Sequence, residues 1–278
     1  MFYIYSQMNI HGTRKRDKDY LLLMDTLEQM NIEFEHLPED ISEYNFTKND
    51  LIFLNFGAIN IDFLLDHKNF KNTNVYPSIE TCKIYNKDKF NIFCEENNLS
   101  IPKTFYNLDN LTDKDFPLLF KPVSGSLSEY LTICYSRKDV IRQLNLLRED
   151  SFYRNKNFIL QEFIDTGTPV TKFRTIFAGD IKITYKAVSQ ENSDFVTLGD
   201  NGVVGEINPD NKAIDEISNK FITVAKTKNI NFGALDIIQD VNGACYLLEL
   251  NAPTKLYRAS QGLGINLYQT VLDNMLTK

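Results

Sequence analysis

Histidine is scarce in this chain of 278 residues. There are three, His11, His36 and His67, all near the N-terminus and none clustered. A zinc site is therefore not expected. The four cysteines, Cys82, Cys94, Cys134 and Cys245, form no C-x-x-C pair and have no nearby histidine. They read as buried or free thiols in a reducing compartment, and a cytoplasmic location follows as the expectation. No apolar run approaches the roughly 18 residues of a membrane span. The N-terminus, Met1-Phe-Tyr-Ile-Tyr-Ser6, is too short and too polar downstream for a signal peptide and reads as a first strand. Positive charge is in deficit: 30 Lys and Arg stand against 37 Asp and Glu, a net charge of −7, which argues against a general nucleic-acid binder. What remains, 43% hydrophobic and 24% charged, is a soluble globular composition, long enough for two or three small domains.

The most informative stretch runs from Gly233 to Asn251. It reads as two apolar strands joined at Asn242-Gly243, a dipeptide whose residues both tolerate φ > 0. A two-residue loop there pairs Val241 with Ala244. Carried along the strands, that register sets Asp236 opposite Glu249. Asn251 lies two residues on and shares their face. Facing carboxylates repel. Two carboxylates and an amide oxygen on an otherwise apolar scaffold suit a hard cation such as Mg²⁺. The solvent-facing side of an ordinary hairpin would show the same residue types.

Along the rest of the chain, residues 2–5 alternate as a strand, and Asp17 to Met30 has helical spacing. Strands follow near 34–37, 51–55 and 74–77, with a short helix at 61–65. The alternation predicts a small parallel α/β domain over about residues 1–78. A helix starting at Ser78 or Thr81 runs to about Asn98, and Ile101 to Phe105 is extended. Strands at 116–123 and 130–135 and a helix at 136–149 make a β-loop-β-α unit. Further strands are expected at 157–164, 172–178 and 181–188. A turn-rich segment covers 190–210, a helix 211–228, and a final helix runs from Asn266 to Leu276.

Lys121 ends a strand apolar enough to be buried on both faces. A lysine there needs a partner, because an unpaired buried ammonium is costly. The loop after it, with Ser124, Gly125 and Ser126, offers N–H groups and hydroxyls to an anion, a phosphate-binding arrangement. An exposed strand-end lysine beside a turn is the plainer alternative. Lys89 stands early in a helix, where a solvated lysine is the default. Gln161, Glu162, Phe163 and Ile164 close an apolar strand that could offer main-chain donors and acceptors to a purine edge, or be an ordinary half-buried strand. Arg174 and Lys186 lie on successive strands. A hairpin around Ala178-Gly179-Asp180 puts 174 opposite 185 or 186. Two cations that close need a bridging anion unless they are surface charge.

These pieces in this order resemble the ATP-grasp superfamily, in its RimK/glutathione synthetase-like branch of carboxylate–amine ligases, from about residue 75 to the end. Asp236 … Leu248-Glu249-Leu-Asn251 is similar to the family's metal-binding D…E-x-N pattern. Leu119-Phe-Lys121-Pro122 resembles the strand with the second nucleotide lysine, and Asp88-Lys89 the helix with the first. Gln161-Glu-Phe-Ile164 resembles the adenine-contacting hinge. The resemblance implies an α/β (α+β) ATP-grasp fold, with a Rossmann-like pre-ATP-grasp domain and ATP between two antiparallel sheets. The implied divisions are 1–78, a linker and first-lysine helix at 79–110, a small ATP-covering domain at 111–164, and a C-terminal domain at 165–278. Lys89 and Lys121 would hold the α- and β-phosphates, with Ser124, Gly125 and Ser126 alongside. Asp236, Glu249 and Asn251 would bind two Mg²⁺ ions, or Mn²⁺. Arg174 or Lys186 would stabilise an oxyanion.

Two departures stand out. The loop after Lys121 has one glycine and three serines. Where the branch often places an acidic residue two before its arginine, this chain has Lys172, so ribose recognition would fall to Asp165 or to another residue. The implied activity is carboxylate–amine ligation through an acyl phosphate, with release of ADP and phosphate. Lys255 and Arg258 are candidates for an anionic substrate. The substrates would be small molecules, or a ribosomally made peptide whose acidic motif docks near Arg14-Lys15-Arg16-Asp17-Lys18. A nucleotide-binding regulator that has lost catalysis is the reading outside the enzyme class. No nucleic-acid or membrane partner is expected, and the sequence leaves room for a homodimer.

Overall fold

The structure, a computed structural model, describes residues 1–5, 17–38, 40–55, 70, 73–123, 130–189 and 202–276. Among them, thirteen strands form three sheets. The helix expected at 61–65 lies outside the described residues.

The first sheet is parallel, in the order β2-β1-β3-β4, with β1 at Phe2–Tyr5, β2 at Phe34–Leu37, β3 at Leu51–Leu54 and β4 at Asn74–Tyr76. All four residues of β3 are buried, as befits a strand covered on both faces. Helix α1, Lys18–Gln29, starts at Asp17, whose carboxylate accepts the N–H of Asp19, and buries Leu23 and Leu27.

One helix expected between Ser78 and Asn98 is two. Helix α2, Ile79–Lys83, is capped by Ser78, and α3, Lys87–Glu96, begins after Asn86 in an extended conformation. The break lets the N–H of Lys87 donate to the carbonyl of Val123 (3.4 Å), one residue past the strand Leu118–Pro122 of the next sheet. A continuous helix would have spent that donor internally.

The second sheet is antiparallel, in the order β5-β8-β6-β7: β5 at Thr104–Phe105, β6 at Leu118–Pro122, β7 at Thr132–Cys134 and β8 at Phe158–Glu162. Helix α4, Arg137–Glu149, covers one face, where Leu118, Phe120, Cys134, Val140, Leu147 and Leu160 form a core. The two-residue period puts Leu119, Lys121, Ile159 and Gln161 on the other face.

The third sheet, order β11-β10-β9-β12-β13, is antiparallel throughout. Its strands are β9 (Thr171–Ala178), β10 (Ile181–Ser189), β11 (Gly202–Ile207), β12 (Phe232–Gln239) and β13 (Cys245–Asn251). Strand β11 arises within the segment expected to be loop. It sits at the sheet's edge with Gly205, Glu206 and Ile207 exposed, so burial left no pattern in its sequence. Helix α5, Lys212–Thr227, packs on one face through Ile214, Ile217 and Phe221, together with Phe90 and Phe93 of α3. On the other face, Ile176, Ala178, Phe232 and Ala234 share a core with Phe2, Ile4 and Phe53 of the first sheet and with helix α7, Leu267–Leu276. Two residues further along that face, β9 and β12 change character, and apolar Ile176 and Ala234 give way to Arg174 and Asp236. The core ends there and a charged cleft begins. No helix among the described residues is long and apolar enough to cross a membrane.

Candidate active site

The hairpin of β12 and β13 turns in three residues, not two. Asp240 bonds Ala244 across the loop Val241-Asn242-Gly243, and its carboxylate accepts the N–H groups of Asn242 (2.9 Å) and Ala244 (2.8 Å). Gly243 takes φ +91°, which a side chain would resist. The Asp240 carboxylate thus makes the longer loop favourable. The extra residue moves the register by one, pairing Ile237 with Leu247. A bulge between Asp236 and Ile237 then moves it back, so Asp236 faces Glu249 and Ala234 faces Asn251. The expected pairing holds because two irregularities offset each other. Gly233 keeps the strands close here: a Cβ would lie 2.8 Å from Leu250 Cδ1 and 3.1 Å from the Asn251 carbonyl.

Asp236 is 1% exposed. Arg174, opposite it on β9, donates from Nε to Oδ1 and from Nη2 to Oδ2 (2.8 Å); Lys172 donates from Nζ to Oδ2 (2.9 Å). Burial alone would raise the carboxyl's pKa, but Arg174 and then Lys172 outweigh it and hold the group well below the usual carboxylate range. Burial likewise works against the Arg174 cation, and Asp236 reverses it, so the guanidinium stays charged. Across from Arg174 on β10 stands Tyr185, whose phenol burial pushes up to about 12.

On the facing sheet Lys121 is 7% exposed and donates to Gln161 Oε1 (2.5 Å), while the Gln161 amide donates to Thr104 Oγ1 (3.2 Å). Burial pulls the Lys121 pKa down to about 8, with Glu249 and Asp236 opposing and Lys87 and Lys172 assisting. Those four charges come from α3, β9, β12 and β13, so the cleft gathers groups from both sheets and the helix between them. Lys87 Nζ lies 3.6 Å from Glu249 Oε2.

Of the residues expected from sequence, Asp236, Glu249, Asn251, Arg174, Lys121 and Gln161 meet at this cleft. Lys186 does not join Arg174. It opposes Phe173, on the other face of the third sheet. Lys89 is exposed, and Lys87, two residues earlier at the start of α3, is the lysine in contact with Glu249. Ser124, Gly125 and Ser126 lie outside the described residues. At the strand end after Gln161, the Glu162 N–H bonds Lys103 O (2.8 Å) and the Phe163 N–H bonds Pro117 O (3.3 Å), while no hydrogen bond engages the Ile164 N–H among the described residues. Asp165 is exposed and accepts the Gly167 N–H (2.8 Å). Lys255 lies 3.4 Å from Asp17, and Arg258 is exposed on helix α6, Tyr257–Leu263.

Sequence reasoning missed two cations, Lys87 and Lys172. Lys172 carried a usable signal, since it lies two residues before Arg174 and so shares its face. Lys87 did not, because choosing it over Lys89 requires knowing where the helix restarts.

The donor set fits a divalent ion at Glu249 and Asn251. The Glu249 side chain is 30% exposed, and the buried Asn251 Nδ2 has no hydrogen-bond partner. A buried amide donor left unpaired costs about 1–3 kcal/mol, and a bound phosphate oxygen would satisfy it. Asp236 is different, since its two oxygens already accept three hydrogen bonds from Arg174 and Lys172.

Two antiparallel sheets facing each other across a cleft of lysines and carboxylates define the ATP-grasp fold, and solved structures bear this out. The D-alanine–D-alanine ligase from Bacillus anthracis complexed with ATP matches with a TM-score of 0.68 and 12% identity, covering 99% of this chain and 95% of that one. The ATP-grasp ligase PsnB, complexed with minimal precursor, Mg and ADP, matches at 0.66 and 13%, covering 99% and 97%. The macrocyclase MdnC from Microcystis aeruginosa MRC, bound with precursor peptide MdnA, matches at 0.65 and 12%, covering 100% of both. No curated protein matches in sequence. Residues 85–275 match the RimK-like ATP-grasp domain, and the chain belongs to that family.

Proposed function

We propose that the protein is an ATP- and Mg²⁺-dependent ligase that joins a carboxylate to an amine. The observation that carries this is the convergence of Lys121, Lys87, Glu249 and Asn251 on one cleft between the two antiparallel sheets. A carboxylate is a poor electrophile. Transfer of the γ-phosphoryl group to a carboxylate oxygen breaks the β–γ bridge, releases ADP and leaves an acyl phosphate. Attack of the amine nitrogen on the acyl carbon then expels phosphate, and loss of a proton gives the amide.

In this assignment Lys121, fixed by Gln161, and Lys87 neutralise phosphate oxygens, in place of the exposed Lys89 expected from the sequence. The segment Gln161–Ile164 receives the adenine through the unengaged Ile164 N–H, with Asp165 near the ribose. Of the two cations proposed for the oxyanion, Arg174 lies on the cleft face. Glu249 and Asn251 would hold Mg²⁺, which when bound supplies charge neutralisation for the transferring phosphoryl group. Lys255 and Arg258 remain the proposed contacts for an anionic substrate. The proposed domains divide at 78, 110 and 164.

A peptide substrate is supported by PsnB complexed with precursor peptide PsnA2 and by MdnC bound with precursor peptide MdnA, both matched over at least 96% of either chain. Of its proposed docking residues, Arg14, Lys15 and Arg16 lie outside the described residues. The test is Mg²⁺-dependent ADP formation across a panel of amino acids, dipeptides and acidic peptides, with Glu249→Gln as the inactive control. ADP release that needs both substrates and Glu249 supports a ligase. Nucleotide-dependent stabilisation without turnover on any pair would identify a binding protein instead.

A further inference from the structure

The cleft is unusually rich in fixed positive charge for a site expected to take two divalent ions. Among the described residues, the charges that meet around Lys121 and Asp236 are Lys87, Lys121, Lys172 and Arg174 against Asp236 and Glu249. These side chains alone carry a surplus of two positive charges. One divalent ion would raise it to four, matching the roughly four negative charges of a triphosphate. A second ion would overshoot.

The geometry agrees with the charge. Asp236 is the most buried carboxylate of the cleft, and both its oxygens accept hydrogen bonds from cations. Lys172 supplies the bond that makes this arrangement complete, at 2.9 Å, with its side chain 14% exposed. A carboxylate clamped from two sides has little left to offer a metal. A second ion there would have to expel an ammonium from a low-dielectric site and sit beside a buried guanidinium. Glu249 differs. It is partly exposed, and Lys87 stands 3.6 Å away, a contact that an incoming ion could replace at little cost.

We propose that the Lys172 ammonium takes the place of one of the two divalent ions, so that the nucleotide complex binds a single ion, held by Glu249 and Asn251. This rests on the cleft being a nucleotide site. Lys172 is then a fixed, monovalent counter-charge, and nucleotide binding depends less steeply on free divalent ion than in a two-ion site.

The test counts ions directly. Mn²⁺ is titrated into the full-length protein saturated with the β,γ-imido analogue of ATP, and free Mn²⁺ is followed by its six-line electron paramagnetic resonance signal. The expected result is one Mn²⁺ per protein in the wild type and two in Lys172→Met, where Asp236 Oδ2 loses one of its two hydrogen bonds and has a lone pair free for the ion. Two in the wild type would overturn the proposal, and this count needs no variant to fold. One in a folded Lys172→Met protein would also overturn it, since Lys172 would then not be what excludes the second ion. A parallel melting experiment separates the two levels. If the analogue with Mn²⁺ fails to stabilise the wild type, the nucleotide site itself is wrong. Stabilisation together with two bound ions leaves the ligase assignment standing and removes only this one.

Discussion

Replacing Lys121 with methionine is expected to leave the nucleotide-free protein as stable as the wild type or more so, while abolishing its response to nucleotide. The magnitude follows from the buried ammonium. Folding lowers its pKa from 10.5 to about 8, so at pH 7 the charged form costs about 3 kcal/mol relative to the unfolded chain. Methionine removes that cost and keeps most of the buried stem. It also strips Gln161 Oε1 of its donor, a loss of about 1–3 kcal/mol. The net change runs from nothing to about 2 kcal/mol of stabilisation, or up to roughly 4 °C in melting temperature for a chain of this size. The assay is thermal unfolding followed by circular dichroism at pH 7, with and without Mg²⁺ and ADP. The wild type should gain several degrees from nucleotide and the variant none. A nucleotide-free variant melting more than about 4 °C lower would refute the reasoning, because Lys121 would then be a stabilising cation of the empty fold. An undiminished nucleotide response would refute its placement in the site.

Asp236→Asn should destabilise the protein by about 3–5 kcal/mol, because Arg174 and Lys172 lose their buried counter-charge; melting that falls by less than a few degrees would contradict the pairing described here. Lys87→Ala should weaken ADP binding at least tenfold in calorimetric titrations with little change in stability, whereas Lys89→Ala should leave affinity within twofold; equal effects would place the wrong lysine in the cleft. Nucleotide affinity should fall as pH rises through about 8, where Lys121 loses its proton, and titrations at pH 7 and pH 9 should show the drop in the wild type. The nucleotide-free protein should change in the opposite sense: between about pH 8 and 10.5 the unfolded lysine still holds a proton that the folded one has shed, so the cost of burying it fades as pH rises.

The fold was legible wherever burial writes a period into the sequence. Strands β1, β3, β6, β8, β9, β10, β12 and β13 and helices α1, α4, α5 and α7 all fall within a few residues of the segments their apolar spacing marks. Strand β11 was hidden because an exposed edge strand needs only its ladder of main-chain bonds. The break between α2 and α3 was hidden because its cause is distant: the carbonyl of Val123 accepts from Lys87. The facing of Asp236 and Glu249 was anticipated from a two-residue loop, and it holds in a three-residue loop because the bulge at Asp236 restores the register. Sequence spacing alone carries no sign of that bulge. The separation of Arg174 from Lys186 turned on one residue of register, the difference between opposing Tyr185 and opposing Phe173.

The most direct measurement is a crystal structure with the β,γ-imido analogue of ATP and Mn²⁺, using anomalous scattering to locate the metal. The triphosphate should lie between Lys121 and Lys87, with manganese on Glu249 and Asn251 and the adenine against Phe163 and Ile164. A nucleotide bound elsewhere, or a cleft in which Glu249 and Asn251 touch neither metal nor phosphate, would contradict the account.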